Sequence, residues 1–212
     1  MTPNFSQAVD RVFGHVLDLL DRISRSQNVV AQDERRRIRF WIDDAEASLG
    51  PTAEWLAAKY ALVAWVDEVL IEAPWPGRSW WVDNTLEWEL FNTHDAYEQF
   101  YVRAADAATM TNKDALETFF ICVVLGFRGL YRDASGAVRA SQLQLPADLA
   151  AWTKQTSISV RVGQGRPVLA DSGEPGAGAP PLDGKYQLIG AALVTLILGA
   201  ALAVILVFKF GQ

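Results

Sequence analysis

The residues in this chain best suited to chemistry are two adjacent carboxylates, Asp67 and Glu68, set in an otherwise apolar run, ALVAWVDEVLI. Burying an ionised carboxylate without a partner costs several kcal/mol, so each must be ion-paired, hydrogen-bonded or at a surface. Three uses fit. One is a structural clamp, with Asp67 or Glu68 accepting bonds from backbone N–H groups of residues 74–80 or from Arg78. A second is a docking site for a basic partner surface, which would comprise Asp67, Glu68, Glu72, Trp75 and Arg78. The third is catalysis on lipid or envelope precursors through Asp67, Glu68 and Glu72. Neighbouring helical residues point about 100° apart, so Asp67 and Glu68 cannot easily share a substrate atom, and this weighs against an enzyme. If the pair docks a partner, reversing both charges weakens capture and spares the fold; if it clamps, the fold collapses.

Other constellations carry less. His94 and Glu98 lie four residues apart on one helical face, but two ligands do not make a metal site, and Asp95 reads as a complement to a helix dipole. No metal or other cofactor is predicted. The basic run Arg35, Arg36, Arg37 and Arg39 follows Asp33 and Glu34 and reads as a partly self-neutralised face, with contact to anionic lipid as the sharper option. Phosphate loops of the GxxxxGK[ST] and GxGxxG types are absent, and no Ser/His/Asp or Cys/His arrangement stands out. The net charge of −6 over 212 residues argues against nucleic acid. One cysteine, Cys122, and two histidines, His15 and His94, provide neither a disulfide framework nor a Cys/His zinc site.

Helices must position these groups. Phe5, Val9, Val12, Phe13, Val16, Leu17, Leu20 and Ile23 step by three and four, predicting an amphipathic first helix. A second is predicted over 33–49, stopped by Gly50-Pro51, and a third over 52–72, capped by Thr52. The third is apolar on nearly every side and so is the central helix. Residues 74–79 form a loop. Further helices are expected over 86–91, over 93–108 with Tyr97, Phe100, Tyr101 and Ala104 on one side, and after a capping box at 111–114. Ile158, Val160 and Val162 alternate like a strand, but too briefly to build a sheet. The class is therefore all-α. Five of the eight tryptophans fall between Trp65 and Trp88, either packing the 74–79 loop onto the bundle or forming an exposed aromatic patch for a partner.

The end of the sequence differs in kind. Ten of the 22 residues from 163 to 184 are Gly or Pro, which reads as a tether over 163–185 after a helical domain of residues 1–162. Residues 186–208 then read as a transmembrane helix, because the 21 residues from Leu188 to Phe208 carry no charge and would span roughly 30 Å. Residues 209–212 form a short tail. Residues 1–20 lack the apolar core of a signal peptide, so the helical domain is expected to stay in the cytosol, tail-anchored, with the C-terminus across the membrane. Ala191, Thr195, Gly199 and Ala203 make a small-residue stripe that would let two such helices pair.

The run from Tyr60 to Glu68 followed by Pro74-Trp75, then Phe91-Asn92-Thr93 with Glu98-Gln99-Phe100-Tyr101, then LGFRGLYR over 125–132, resembles the DotU/TssL family, also called IcmH. These are inner-membrane subunits of type VI and type IVB secretion machines. The AWxDE and LGFxGxYR elements, in that order, are the most specific pieces. The resemblance implies a cytoplasmic domain of two small helix bundles, hook-like in outline, anchored by one span and often dimeric, without catalysis. It implies as partners a large IcmF/TssM membrane protein, the baseplate of the contractile apparatus, and inner-membrane lipid. Asp67 and Glu68 match the family's acidic pair. Trp65, Pro74, Gly126, Phe127, Gly129, Tyr131 and Arg132 match motif positions of structural character, and Tyr97 stands where the family usually has Gly. A type VI subunit is thus the expected function, with a type IVB subunit or a tail-anchored enzyme as alternatives.

Overall fold

Helix α1 (Pro3–Ser24) enters the protein with Pro3 in its first turn and buries Phe5, Val9, Val12, Val16, Leu19 and Ile23, one residue per turn on a single stripe. Leu17, expected on that stripe, is exposed, and Leu19 takes its place. The structure, a computed structural model, describes residues 1–133 and 135–163. The order continues with α2 (Ala31–Leu49), α3 (Ala53–Glu72), α4 (Arg78–Asp83), α5 (Leu86–Phe91), α6 (Ala96–Thr109), α7 (Asp114–Val124), a 3-10 turn (Gly129–Arg132), α8 (Gly136–Gln142) and α9 (Leu149–Gly163). All described secondary structure is helical. No helix among the described residues is long and apolar enough to cross a membrane. The sequence-predicted span, its stripe at Ala191, Thr195, Gly199 and Ala203, and the tether beyond residue 163 lie outside the described residues.

Helix α3 is the axis. Thr52 caps it by accepting from the Trp55 N–H at 3.2 Å, and α1, α2, α4, α5, α6 and α7 all pack on it. Trp55, Tyr60, Leu62 and Trp65 are fully buried around its circumference, as its unbroken apolar pattern requires. The buried side chains form one continuous cluster, rather than two separate cores. Its far end is aromatic: Phe100 stacks on Phe127 at 3.9 Å and meets Phe119 edge-on at 4.8 Å.

Four local expectations change. Tyr97 is exposed, turned away from Phe100 and Tyr101. The stretch with Ile158, Val160 and Val162 is helix α9, because Trp152, Thr156 and Val160 recur every four residues and fill a seam against the core, while Ile158 and Val162 face outward. Helical spacing, long enough to bury Trp152, overrides a three-residue alternation. The capping box at 111–114 does not form. Asp114 instead turns its carboxylate to Thr2, accepting from the backbone N–H at 2.8 Å and the hydroxyl at 2.5 Å, and so ties the start of α1 to the start of α7. Finally, the loop after α3 is short, since α4 already begins at Arg78.

Helix α2 carries an acid where a hydrophobe would be expected. Glu34 sits on the same stripe as Ile38, Ile42 and Ala45 and is only 3 % exposed. It accepts from Arg22 at 3.1 Å, Arg37 at 3.1 Å and stands 3.1 Å from His15, joining α1 to α2. Glu34→Ala strands Arg22 and His15 at a half-buried seam and is expected to cost about 2 kcal/mol in chemical denaturation. Removal of the exposed Asp18, the other partner of Arg22, should cost under about 0.5 kcal/mol.

Candidate functional site

The two adjacent acids of α3 point in different directions, as the 100° step demands. Asp67 is 5 % exposed. Its Oδ1 accepts from the Trp81 indole N–H at 2.9 Å and the Leu86 backbone N–H at 3.0 Å, and its Oδ2 accepts from the Glu87 N–H at 2.8 Å. Leu86 and Glu87 are the first two residues of α5, whose N–H groups have no partner within their own helix. Asp67 therefore caps α5 across the core, and the Thr85 hydroxyl completes the cap by accepting from the Trp88 N–H at 3.4 Å. Burial pushes the Asp67 carboxyl up to about 6, against the pull of its three donors.

Glu68 faces the opposite loop. Its Oε1 accepts from the Arg128 N–H at 2.6 Å and its Oε2 from the Gly129 N–H at 3.0 Å. Arg132 closes over the same carboxylate at 3.1 Å and also pairs with Glu72. Gly126 at φ +117° and Gly129 at φ +46° turn the chain so that successive N–H groups point inward, forming an anion-binding concavity that Glu68 fills. Burial raises the Glu68 pKa, while the Arg128 N–H, the Arg132 charge and the Gly129 N–H lower it. The two motifs that sequence singled out are thus one object: the glutamate of the first is bound by the backbone of the second. A Cβ on Gly129 would lie 2.7 Å from the Tyr97 carbonyl and 2.8 Å from the Phe127 ring. Gly129→Ala, with its left-handed φ, is expected to lower stability by about 2 kcal/mol, read as a shifted denaturation midpoint.

The other sequence-derived residues divide by exposure. Trp65 and Phe127 are buried in the core, and Trp75 is buried with its indole donating to the Leu70 carbonyl at 2.8 Å. Trp81 is likewise buried, so three of the clustered tryptophans are packing residues, while Trp88 is half exposed and stacks on His94 at 4.8 Å. Tyr131 donates to the Pro146 carbonyl at 2.6 Å. Arg78 does not reach Asp67; it lies exposed, its Nε donating to the Ile71 carbonyl at 2.5 Å. Of the five residues expected to face a partner, Asp67 and Trp75 are inside the protein, Glu68 is nearly so, and Glu72 and Arg78 are at the surface. Asp67, Glu68 and Glu72 do not converge on a common cavity, because both Asp67 oxygens are taken up by α4 and α5 and Glu68 is taken up by the 126–132 turn.

Sequence reasoning missed Glu87, another buried acid. Its Oε1 accepts from the Thr93 hydroxyl at 2.9 Å and the Asp95 N–H at 3.0 Å, ordering the entry to α6. Nothing in the pattern of so short a helix as α5 marks it. The α2 arginines are each paired: Arg36 with Asp33, Arg37 with Glu34, Arg35 with Glu89, and Arg39 with Asp43 and Glu89. They flank the exposed Phe40 and a cavity of about 440 Å³. No group of three or more His, Cys, Asp or Glu side chains among the described residues is arranged to hold a metal ion.

A family model described as type VI secretion system protein DotU matches residues 4–210 of this chain. No curated protein matches it. Among solved structures, the cytoplasmic domain of TssL from Acinetobacter baumannii is similar, with a TM-score of 0.57 and 22 % identity over 74 % of this chain and 98 % of that one. At that identity the likeness is one of fold.

Proposed function

The chain belongs to the DotU family of type VI secretion system proteins, and from that premise we propose that it is a non-enzymatic scaffold subunit of the secretion membrane complex. In this reading the helical domain lies on the cytoplasmic face of the inner membrane, residues 186–208 cross the membrane once, and the C-terminus is periplasmic. The observation that carries it is the extent of the family match, which runs over the helical domain and over the uncharged stretch 188–208 alike. The proposed partners are a large IcmF/TssM-like membrane protein and the baseplate of the contractile apparatus, with a second copy of the chain possible through the stripe in the span. Holding weak binding surfaces in one plane raises their effective concentration, so a scaffold needs no strong single contact.

Asp67 and Glu68 enter this function through what they hold. Asp67 fixes the start of α5 and Glu68 fixes the 126–132 turn, whereas Glu72 and Arg78, exposed at the end of α3 and the start of α4, are the proposed partner contacts. Exchanging both for Ala is expected to weaken co-purification of the IcmF/TssM-like protein or of baseplate components about tenfold, with an unchanged melting curve. The wider reading is tested by removing residues 186–212 in the native host. The truncated protein should leave the membrane fraction and type VI export should stop. Export that persists without those residues, or turnover of a small molecule by the purified protein, would overturn it.

A further inference from the structure

Between α7 and α9 runs a groove of about 810 Å³ whose apolar wall is Phe120, Val123 and Val124 and whose charged lining is Arg128, Lys154 and Arg161. No acid lines it. None of these three cations forms an ion pair with a carboxylate among the described residues; the Arg128 guanidinium donates to the Val123 and Phe127 carbonyls, which leaves its charge unneutralised. This is unusual in a chain of net charge −6 whose α2 arginines are all paired. Along α9, Lys154, Ile158, Arg161 and Val162 form one exposed stripe, with Ile158 53 % and Val162 75 % exposed, and Val124 on the facing wall is 61 % exposed. Cations interleaved with exposed aliphatic side chains suit the boundary between lipid headgroups and acyl chains.

We propose that the α7–α9 face docks on the anionic surface of the membrane itself. The proposal rests on the reading that the chain is held there by residues 186–208. α9 is the last described helix, and only 24 residues, 164–187, separate it from Leu188. A stretch of 24 residues reaches at most about 80 Å, so a span at 188–208 would keep α9 within reach of the membrane surface. Charge complementarity selects the occupant: each basic residue near an anionic leaflet is worth about fivefold in partition, and three give on the order of a hundredfold. Docking would turn a tethered domain into an oriented one.

The test uses the full chain in lipid nanodiscs with and without phosphatidylglycerol. A solvatochromic dye is placed at Ser157→Cys, in the groove, the native Cys122 being fully buried. The expected result is a blue shift in anionic discs only, with a docked-to-free ratio on the order of a hundredfold higher than in phosphatidylcholine. High salt should abolish it, as should Lys154→Glu combined with Arg161→Glu, two exposed changes that leave the circular dichroism intact. Incorporation into discs with no dependence on lipid charge overturns the docking alone. A blue shift of equal size in every lipid and in detergent means that residues 164–187 or another copy fill the groove, and also overturns it. Exclusion from discs of both kinds removes the anchoring and the docking together.

Discussion

Asp67→Ala is expected to destabilise the helical domain by about 4 kcal/mol, which for a domain of this size lowers the melting temperature by roughly 10 °C. The variant leaves three buried donors, the Trp81 indole N–H and the N–H groups of Leu86 and Glu87, without an acceptor in a site closed to water. Each such orphan costs about 1–3 kcal/mol, and relaxation recovers part of the sum. Asp67→Asn should fall between variant and parent, at about 2 kcal/mol. Its remaining oxygen can keep the Trp81 and Leu86 bonds, both made to Oδ1, while its amide sets a donor against the Glu87 N–H. Asp67→Lys, which adds a buried cation beside the α5 N-terminus, should not fold. Far-ultraviolet circular dichroism with thermal melts checks all three. If Asp67 faced a partner, Asn and Lys would leave the melt unchanged and reduce only partner capture; that pattern would refute the internal-cap account.

Why the cap could not be read from sequence is clear from its geometry. An acid pair inside ALVAWVDEVLI announces that two charges need partners, which marks Asp67 and Glu68. The partners lie 14 to 20 residues away for Asp67 and about 60 for Glu68, and most are backbone N–H groups, which carry no residue type. Periodicity reports what faces a core, which is why α1, α2, α3, α5, α6 and α7 are legible. It says little of what a loop binds. Glu34 did leave a signal, an acid on the stripe of Ile38 and Ile42, outweighed by its suitability for a helix N-terminus. For α9 the wrong period was the more conspicuous one: Ile158, Val160 and Val162 alternate, but burial follows Trp152, Thr156 and Val160.

Glu68→Ala should cost about 3 kcal/mol, and the size of this effect relative to Arg132→Ala decides what the second motif is for. If the Glu68–Arg132 ion pair mattered most, both changes would cost alike. Arg132 is 43 % exposed, its charge is screened by water, and it keeps Glu72 as a second partner, so its removal should cost under about 1 kcal/mol. The backbone concavity has no such alternative. Without the carboxylate, the Arg128 and Gly129 N–H groups converge on a point with no acceptor, held there by the φ angles of Gly126 and Gly129. Glu68→Gln, which retains one acceptor oxygen but no charge, should lie midway. Amide exchange over residues 126–132 is expected to accelerate in Glu68→Ala and to stay near the parent in Arg132→Ala. Because the turn also supports Tyr131 on Pro146, and so the approach to α9, loosening it should carry through to the C-terminal face of the domain. Equal destabilisation by the two variants would make the ion pair, and not the glycine-shaped turn, the reason for an acid at position 68.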